Sequence, residues 1–317
     1  MIIDIHGHVT SPELFKRFPM PPSLADIDGM IERKAAVGID LTIVGSPVGA
    51  GTMVPIRGLD NYAQPADRID RFHEWVAQTV QAHKDRLRAY VYVNPFDEAT
   101  LARAAKWLAA DEFVGLIANT SVRGRYLNSR RADGFFALAA ETSSPVLLHP
   151  PAKPTAAHAM RGHAGLIEHV TRPCDITMGV AAILFAGWLQ KYPALKLIAP
   201  NAGGALSLLR EKLDLAHQRA GGSPAGGGDP PGPRGPGGWL SRIYVDTATP
   251  SNLALSAALT VFGPKRMLFG TDSPPLATPL PEALRAVSRL GVGVLDRRRI
   301  LAGNALNLFN LPVRGAR

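Results

Sequence analysis

Short β-rich runs alternate with longer stretches of helical spacing from one end of this chain to the other, and that alternation limits the fold more than any other feature. Apolar and β-branched runs predict strands over Ile2–His6, Leu41–Ser46, Leu87–Val93, Val114–Ala118, Val146–His149, Leu195–Ala199, Ile243–Asp246 and Met267–Gly270. Between them, apolar residues at helical spacing predict helices over Leu24–Val37, Ala66–His83, Ala99–Ala109, Ala132–Glu141, Ala181–Tyr192, Ala205–Arg219 and Leu253–Phe262. Strands separated by helices pair in parallel, because each return crosses the sheet through the helix. Eight such runs in 317 residues predict one (β/α)8 barrel domain over residues 1–317. The alternative, a doubly wound open sheet, lacks its mark, since no Gly-rich dinucleotide fingerprint follows the first run.

Chemistry in such a barrel gathers at the C-terminal ends of the strands. Those ends carry His6 and His8 on the first strand, His149 on the fifth, Asn201 just past the sixth and Asp272 just past the eighth. Residues i and i+2 of a strand share a face, so His6 and His8 point the same way, and Gly7 leaves room beside the backbone. Taken alone, the His-Gly-His step fits a metal site or a structural imidazole pair equally well. Each of the other residues, taken singly, fits a hydrogen-bonded or capping role. Three imidazoles and a carboxylate on one mouth are harder to assign to structure alone.

Composition narrows the partners. The formal charge is +9, but the basic residues are spread along the chain without interleaved aromatics, which argues against a nucleic-acid partner and leaves an anionic small molecule open. A single cysteine, Cys174, excludes an internal disulfide framework or a Cys-rich zinc site and predicts a reducing, cytoplasmic setting. No basic-then-apolar leader opens the chain, and the most apolar stretch, Ile176 to Leu189, is short for a membrane span. It is expected to be a buried or interface helix, with no membrane partner. Residues 221–238, rich in Gly and Pro, hold too little apolar surface to pack and predict a flexible surface loop. Gly45 to Asn61, following the second strand, is the expected lid.

Five ordered motifs carry a family resemblance. They are Ile-Asp-Ile-His-Gly-His at the start, Leu-Leu-His-Pro-Pro at the fifth strand, Asn-Ala-Gly-Gly-Ala after the sixth, Leu-Phe-Gly-Thr-Asp-Ser-Pro at the eighth and Gly-Asn-Ala near the end. Together they resemble the amidohydrolase superfamily, and more narrowly its branch of aminocarboxymuconate semialdehyde decarboxylase, aromatic acid decarboxylases, and some hydratases and carbon–carbon hydrolases. The resemblance implies that His6, His8, His149 and Asp272 bind one divalent metal, zinc first and manganese as the alternative. Imidazoles with a carboxylate suit zinc, and a remaining position for water or substrate makes such a site catalytic. The fourth strand ends in Ala118, Asn119 and Thr120, so the bridging carbamylated lysine of binuclear members is absent and a mononuclear centre is expected.

Asn201 departs from the branch, whose members carry a proton-transferring histidine before the Gly-Gly pair. Asparagine cannot act as a general base near neutral pH. Asp272 and Asn201 are the candidate catalytic residues, and the proton carrier stays open: Asp272 can supply it, as the metal-associated carboxylate does in the hydrolases the chain resembles, while His158 and His163 are available after the fifth strand but are expected first as surface or supporting residues. Candidate substrate contacts are Asn119 and Thr120 on the wall, and Arg57, Arg123, Arg125, Arg161 and Lys212 as carboxylate anchors. The expected protein is a metal-dependent hydrolase or carboxy-lyase for a small aromatic or conjugated carbonyl or carboxylate compound. A cyclodehydratase built on the same site and a catalytically idle metal-binding scaffold are the alternatives. Dimers are common in the branch, so a homodimer is expected.

Overall fold

Eight parallel strands form one sheet in chain order: β1 (Ile3–His8), β2 (Leu41–Gly45), β3 (Leu87–Tyr92), β4 (Phe113–Asn119), β5 (Val146–His149), β6 (Leu197–Ala199), β7 (Tyr244–Asp246) and β8 (Met267–Leu268). The computed structural model describes residues 1–17, 20–46, 64–160, 162–219, 235–275 and 279–312. Beyond β8 the ring is drawn together by the Ile5 amide, which donates to the Phe269 carbonyl at 3.0 Å. The result is a nearly closed (β/α)8 barrel, as the alternation of runs predicts.

One principal helix follows each strand: α1 (Ile27–Ala36), α2 (Ala66–Ala82), α3 (Glu98–Trp107), α4 (Asp133–Glu141), α5 (Arg172–Phe185), α6 (Leu206–Arg219), α7 (Asn252–Phe262) and α8 (Leu280–Ser288). Several start on side-chain caps: Asp26 accepts from the Gly29 amide, Asp97 from Ala99 and Ser251 from Ala254. The fifth helix is α-helical from Arg172, nine residues earlier than its apolar spacing predicts, and it runs on without a break from a π-helical turn over Ile167–Thr171. It also ends earlier, because Gly187 adopts φ 75° and turns the chain before a short Trp188–Lys191 helix. Residues 276–278 and most of the predicted Gly/Pro-rich loop lie outside the described residues. The end of that loop is not a free excursion: Pro236–Trp239 forms a helical turn, and the Gly237 amide donates to Asp214 Oδ1 on α6 at 2.7 Å. A Cβ on Gly237 would stand 2.5 Å from the Arg210 carbonyl, so only glycine permits this approach.

Two apolar layers result. Outward-facing strand residues such as Val44, Leu116, Leu148 and Val245 pack under the helices. Inward-facing Ile3, Ile5, Ile43, Tyr90, Ile117, Leu147, Ile198 and Leu268 fill the barrel. A C-terminal helix, Asn304–Leu308, with Phe309 and Leu311 packs against that inner layer, and Phe309 meets Tyr90 edge-on at 5.8 Å. Asn304 pins the plug through its Nδ2, which donates to the Met267 carbonyl at 2.7 Å and the Pro264 carbonyl at 2.8 Å. One end of the barrel is thus filled with hydrocarbon, and the polar groups collect at the other. Among the described residues no helix is long and apolar enough to cross a membrane.

Candidate metal centre

The ligand set begins with a phase slip in β1. Ile3 and Ile5 face the barrel interior, yet His6 and His8 do too, because the pairing of β1 with β2 shifts register between Asp4 and Gly7. Ile5 and His6 therefore point inward in succession, and Gly7 points out toward Thr42, Lys34 and Val44. Strict alternation from the two isoleucines would have turned both histidines toward the helices. Bulges that re-aim side chains in this way are frequent beside functional sites.

His149, the last residue of β5, and Asp272, just past β8, complete the group. The four offer ligand atoms that all lie within 4.8 Å of one another. His8 Nε2 is 2.9 Å from Asp272 Oδ1, His6 Nε2 is 3.4 Å from the same oxygen, and the two Nε2 atoms are 3.1 Å apart. His6, His8, His149 and Asp272 are all buried. Asp272 has φ 53°, a backbone region rare for a residue with a side chain.

The remaining ring nitrogens fix the tautomers. His6 Nδ1 faces Asp246 Oδ2 at 2.6 Å, His8 Nδ1 faces the Gly45 carbonyl at 3.3 Å, and His149 Nδ1 faces the Pro150 carbonyl at 2.8 Å. Each of these oxygens accepts, so each Nδ1 can keep its proton on the outer side and leave Nε2 to turn a lone pair toward a cation when one is bound. His149 Nε2 is buried with no hydrogen-bond partner. Three imidazole nitrogens and a carboxylate oxygen packed this closely need positive charge between them, a shared proton or a cation, and the donor set fits a divalent metal.

The electrostatics agree. Burial pulls the His6 pKa down, but Asp272 and Asp246 outweigh it and push the metal-free imidazole up to about 9. Positive charge is thus favoured at that spot. Burial dominates at the other two rings: it lowers His8 against the pull of Asp272, and lowers His149 with help from His8 and Arg172. For Asp272 burial works upward, but the three histidines override it and hold the carboxyl below the usual carboxylate range.

A family model described as Amidohydrolase matches residues 3–311. The chain belongs to the amidohydrolase family. Solved structures share its fold across nearly the whole length. A 5-carboxyvanillate decarboxylase from Sphingomonas paucimobilis is 19% identical with a TM-score of 0.80, covering 98% of this chain and 99% of that one. A dihydroxybenzoic acid decarboxylase from Polaromonas sp. JS666, with bound manganese and 2-nitroresorcinol, is 21% identical with a TM-score of 0.77, covering 98% and 97%. A 2,6-dihydroxybenzoate decarboxylase from Rhizobium is 20% identical with a TM-score of 0.78, covering 98% of each chain. At these identities the likeness carries the fold.

Within this amidohydrolase barrel the other expected site residues fall unevenly. Asn119 ends β4 in register with His149, buried, with Nδ2 3.4 Å from the His149 carbonyl and Oδ1 lacking a partner. Asn201 joins the centre through its backbone: its amide donates to Asp246 Oδ1 at 2.8 Å. Its residue and the next three, Ala202, Gly203 and Gly204, all have positive φ, which makes a left-handed turn at the mouth. Arg123, also at positive φ, is the exposed tip of a ribbon formed by Ser121–Val122 and Arg125–Tyr126. With Asn94, Phe96, Val122, Arg125 and Arg131 it lines a cavity of about 280 Å³. Lys212 is exposed on α6, and His158 and His163 are exposed as expected. Arg57, Arg161 and nearly all of the expected lid lie outside the described residues.

Sequence reasoning passed over Asp246. It is the last residue of β7, faces the interior and holds His6, and the strand-end rule that picked out His149 applies to it equally. Its position also explains Gly270: a Cβ there would stand 3.0 Å from Asp246 Cβ and 3.1 Å from His6 Cβ.

Proposed function

We propose that this protein is a metal-dependent carboxy-lyase or hydrolase of a small aromatic or conjugated carboxylate or carbonyl compound. The observation that carries the proposal is the convergence of three imidazole nitrogens and Asp272 Oδ1, with His149 Nε2 left partnerless. A divalent ion held by these four residues supplies a Lewis acid that polarises a substrate oxygen or acidifies a bound water. Zinc suits the imidazole-rich donors, and manganese is the ion of the Polaromonas structure; zinc is the first assignment and manganese the second.

The chain's own groups do the rest. Asp246 and the Gly45 carbonyl hold the proximal rings in one tautomer, and the hydrocarbon plug leaves the polar end as the way in. Asn201 has no proton to exchange near neutral pH, so proton transfer is assigned to the Asp272 carboxylate. Asn119, level with His149, is assigned to the substrate wall, and Arg123 at the rim to a substrate carboxylate. Decarboxylation is the first reaction to test, because the fold neighbours named above are decarboxylases.

Exposed Leu166, Val170 and Met178, close along the segment leading into and along α5, support a homodimer. The lone Cys174, free and exposed, suits a reducing cytoplasm. The test is turnover of 2,6-dihydroxybenzoate and 5-carboxyvanillate by protein stripped with chelator and then reloaded with zinc or manganese. Carbon dioxide release that vanishes on stripping and returns with metal is the expected result. Undiminished turnover after stripping would overturn the Lewis-acid proposal, and bound metal with no turnover of any carbonyl or acid tested would favour a scaffold.

A further inference from the structure

Behind β1, on the side away from the ligands, Lys34 of α1 and Asp4 form a buried ion pair, Nζ to Oδ2 2.6 Å, with side chains 3% and 0% exposed. The same Oδ2 accepts the Thr271 hydroxyl at 2.6 Å, while Oδ1 accepts the Thr271 amide at 3.0 Å and the His6 amide at 3.0 Å. One carboxylate thus collects four donors from β1, α1 and the segment after β8. Two of the donor residues set metal ligands directly: His6 is itself a ligand, and Thr271 precedes Asp272. The Thr271 hydroxyl also accepts the Ser273 amide at 3.2 Å, so Asp272 is tied down on both sides in its left-handed conformation. Lys34 Nζ lies 3.4 Å from where a Cβ on Gly7 would stand, against the backbone between the two histidines.

A buried ion pair is by itself a weak source of stability, since desolvation offsets the attraction. What sets this one apart is where its donors come from. We propose that Asp4 and Lys34 are positioning residues that hold His6 and the Asp272 segment at the separation a single cation bridges. The inference rests on the metal-centre assignment above. Ligands held by such outer partners bind metal more tightly, and loss of the partner lowers affinity by about 10- to 100-fold.

A through-space charge effect makes the opposite prediction for Lys34. Removing a positive charge near the centre would tighten cation binding, whereas loosening the clamp weakens it. The test uses the full chain, stripped of metal, as wild type, Lys34→Met and Thr271→Val. Zn²⁺ and Co²⁺ affinities are measured by chelator competition, and the visible spectrum of each cobalt form is recorded. The expected result is affinity at least about tenfold weaker in both variants, with shifted or weakened cobalt bands. Tighter binding by Lys34→Met would overturn the proposal. So would unchanged affinity and spectrum accompanied only by a lower melting temperature, which is the signature of a structural role. Should Lys34→Met fail to fold, the near-isosteric Thr271→Val carries the test alone. Wild type that takes up neither ion would overturn the metal-centre assignment itself, whereas wild type that binds while the variants match it overturns only the clamp.

Discussion

Asp246 Oδ2 stands 2.6 Å from His6 Nδ1, both side chains fully buried, and its other oxygen accepts the amides of Asn201 at 2.8 Å and Ala248 at 3.0 Å. The carboxylate therefore fixes the His6 tautomer and the start of the left-handed turn together. Asp246→Asn keeps the shape but can turn an N–H toward His6. Metal affinity is expected to fall about 10- to 100-fold, read by chelator competition. Equal affinity in wild type and variant would show that His6 needs no such partner.

His149 contributes the one ligand nitrogen with no internal partner. Added zinc or manganese should raise the unfolding free energy of the stripped wild type, by about 2.7 kcal/mol at one hundred times Kd. His149→Ala should lose most of that gain at the same metal concentration. Calorimetry in which the variant responds as strongly as wild type would remove His149 from the ligand set.

Asn201 occupies φ 53°, a region that histidine tolerates better than most residues. Asn201→His should fold and add a titrating group to the mouth. The pH profile of kcat/KM should then acquire a limb near about pH 6.5, with activity favoured on the basic side, that wild type lacks. Superimposable profiles would exclude position 201 from proton transfer.

Acid should weaken the fold through His73. Its Nε2 accepts the Tyr92 amide at 3.0 Å, and burial, only partly opposed by Asp70, lowers its pKa from 6.5 to about 4. The folded chain thus binds fewer protons than the unfolded chain between those values. Stability from this residue is complete above 6.5 and is lost as pH falls toward 4, on the order of 3 kcal/mol in all. In His73→Gln the side-chain oxygen can still accept from Tyr92. Urea unfolding near about pH 7 and about pH 5 should show a smaller acid loss in the variant; an equal loss would place the acid sensitivity elsewhere.

The barrel was legible because each inward and outward layer repeats the same short apolar pattern. β5 begins and ends where its run predicts, and β4 extends one residue past its prediction at each end. β8 stops at Leu268, two residues early, because Gly270 and Thr271 direct their hydrogen bonds to Thr247 and Asp4 rather than into a ladder. The start of α5 was hidden because its first turn, Arg172 to Asp175, is polar on the face that packs inward: Asp175 is buried and accepts from the Thr120, Ser121 and Tyr126 hydroxyls. The four ligands were visible as residue types at strand ends. Their supports were not, since Asp4 and Lys34 lie thirty residues apart and look, in one dimension, like ordinary surface charge.

The doubled inward step at Ile5 and His6 makes the histidine pair non-portable. Copied onto a regular strand with the same isoleucines beneath it, the tripeptide would aim both rings into the helix layer. A graft or redesign has to import the slip along with the letters. A single-codon insertion or deletion just upstream of Gly7 would be enough to separate a working mouth from a dead one, with the strand's hydrophobic content almost unchanged.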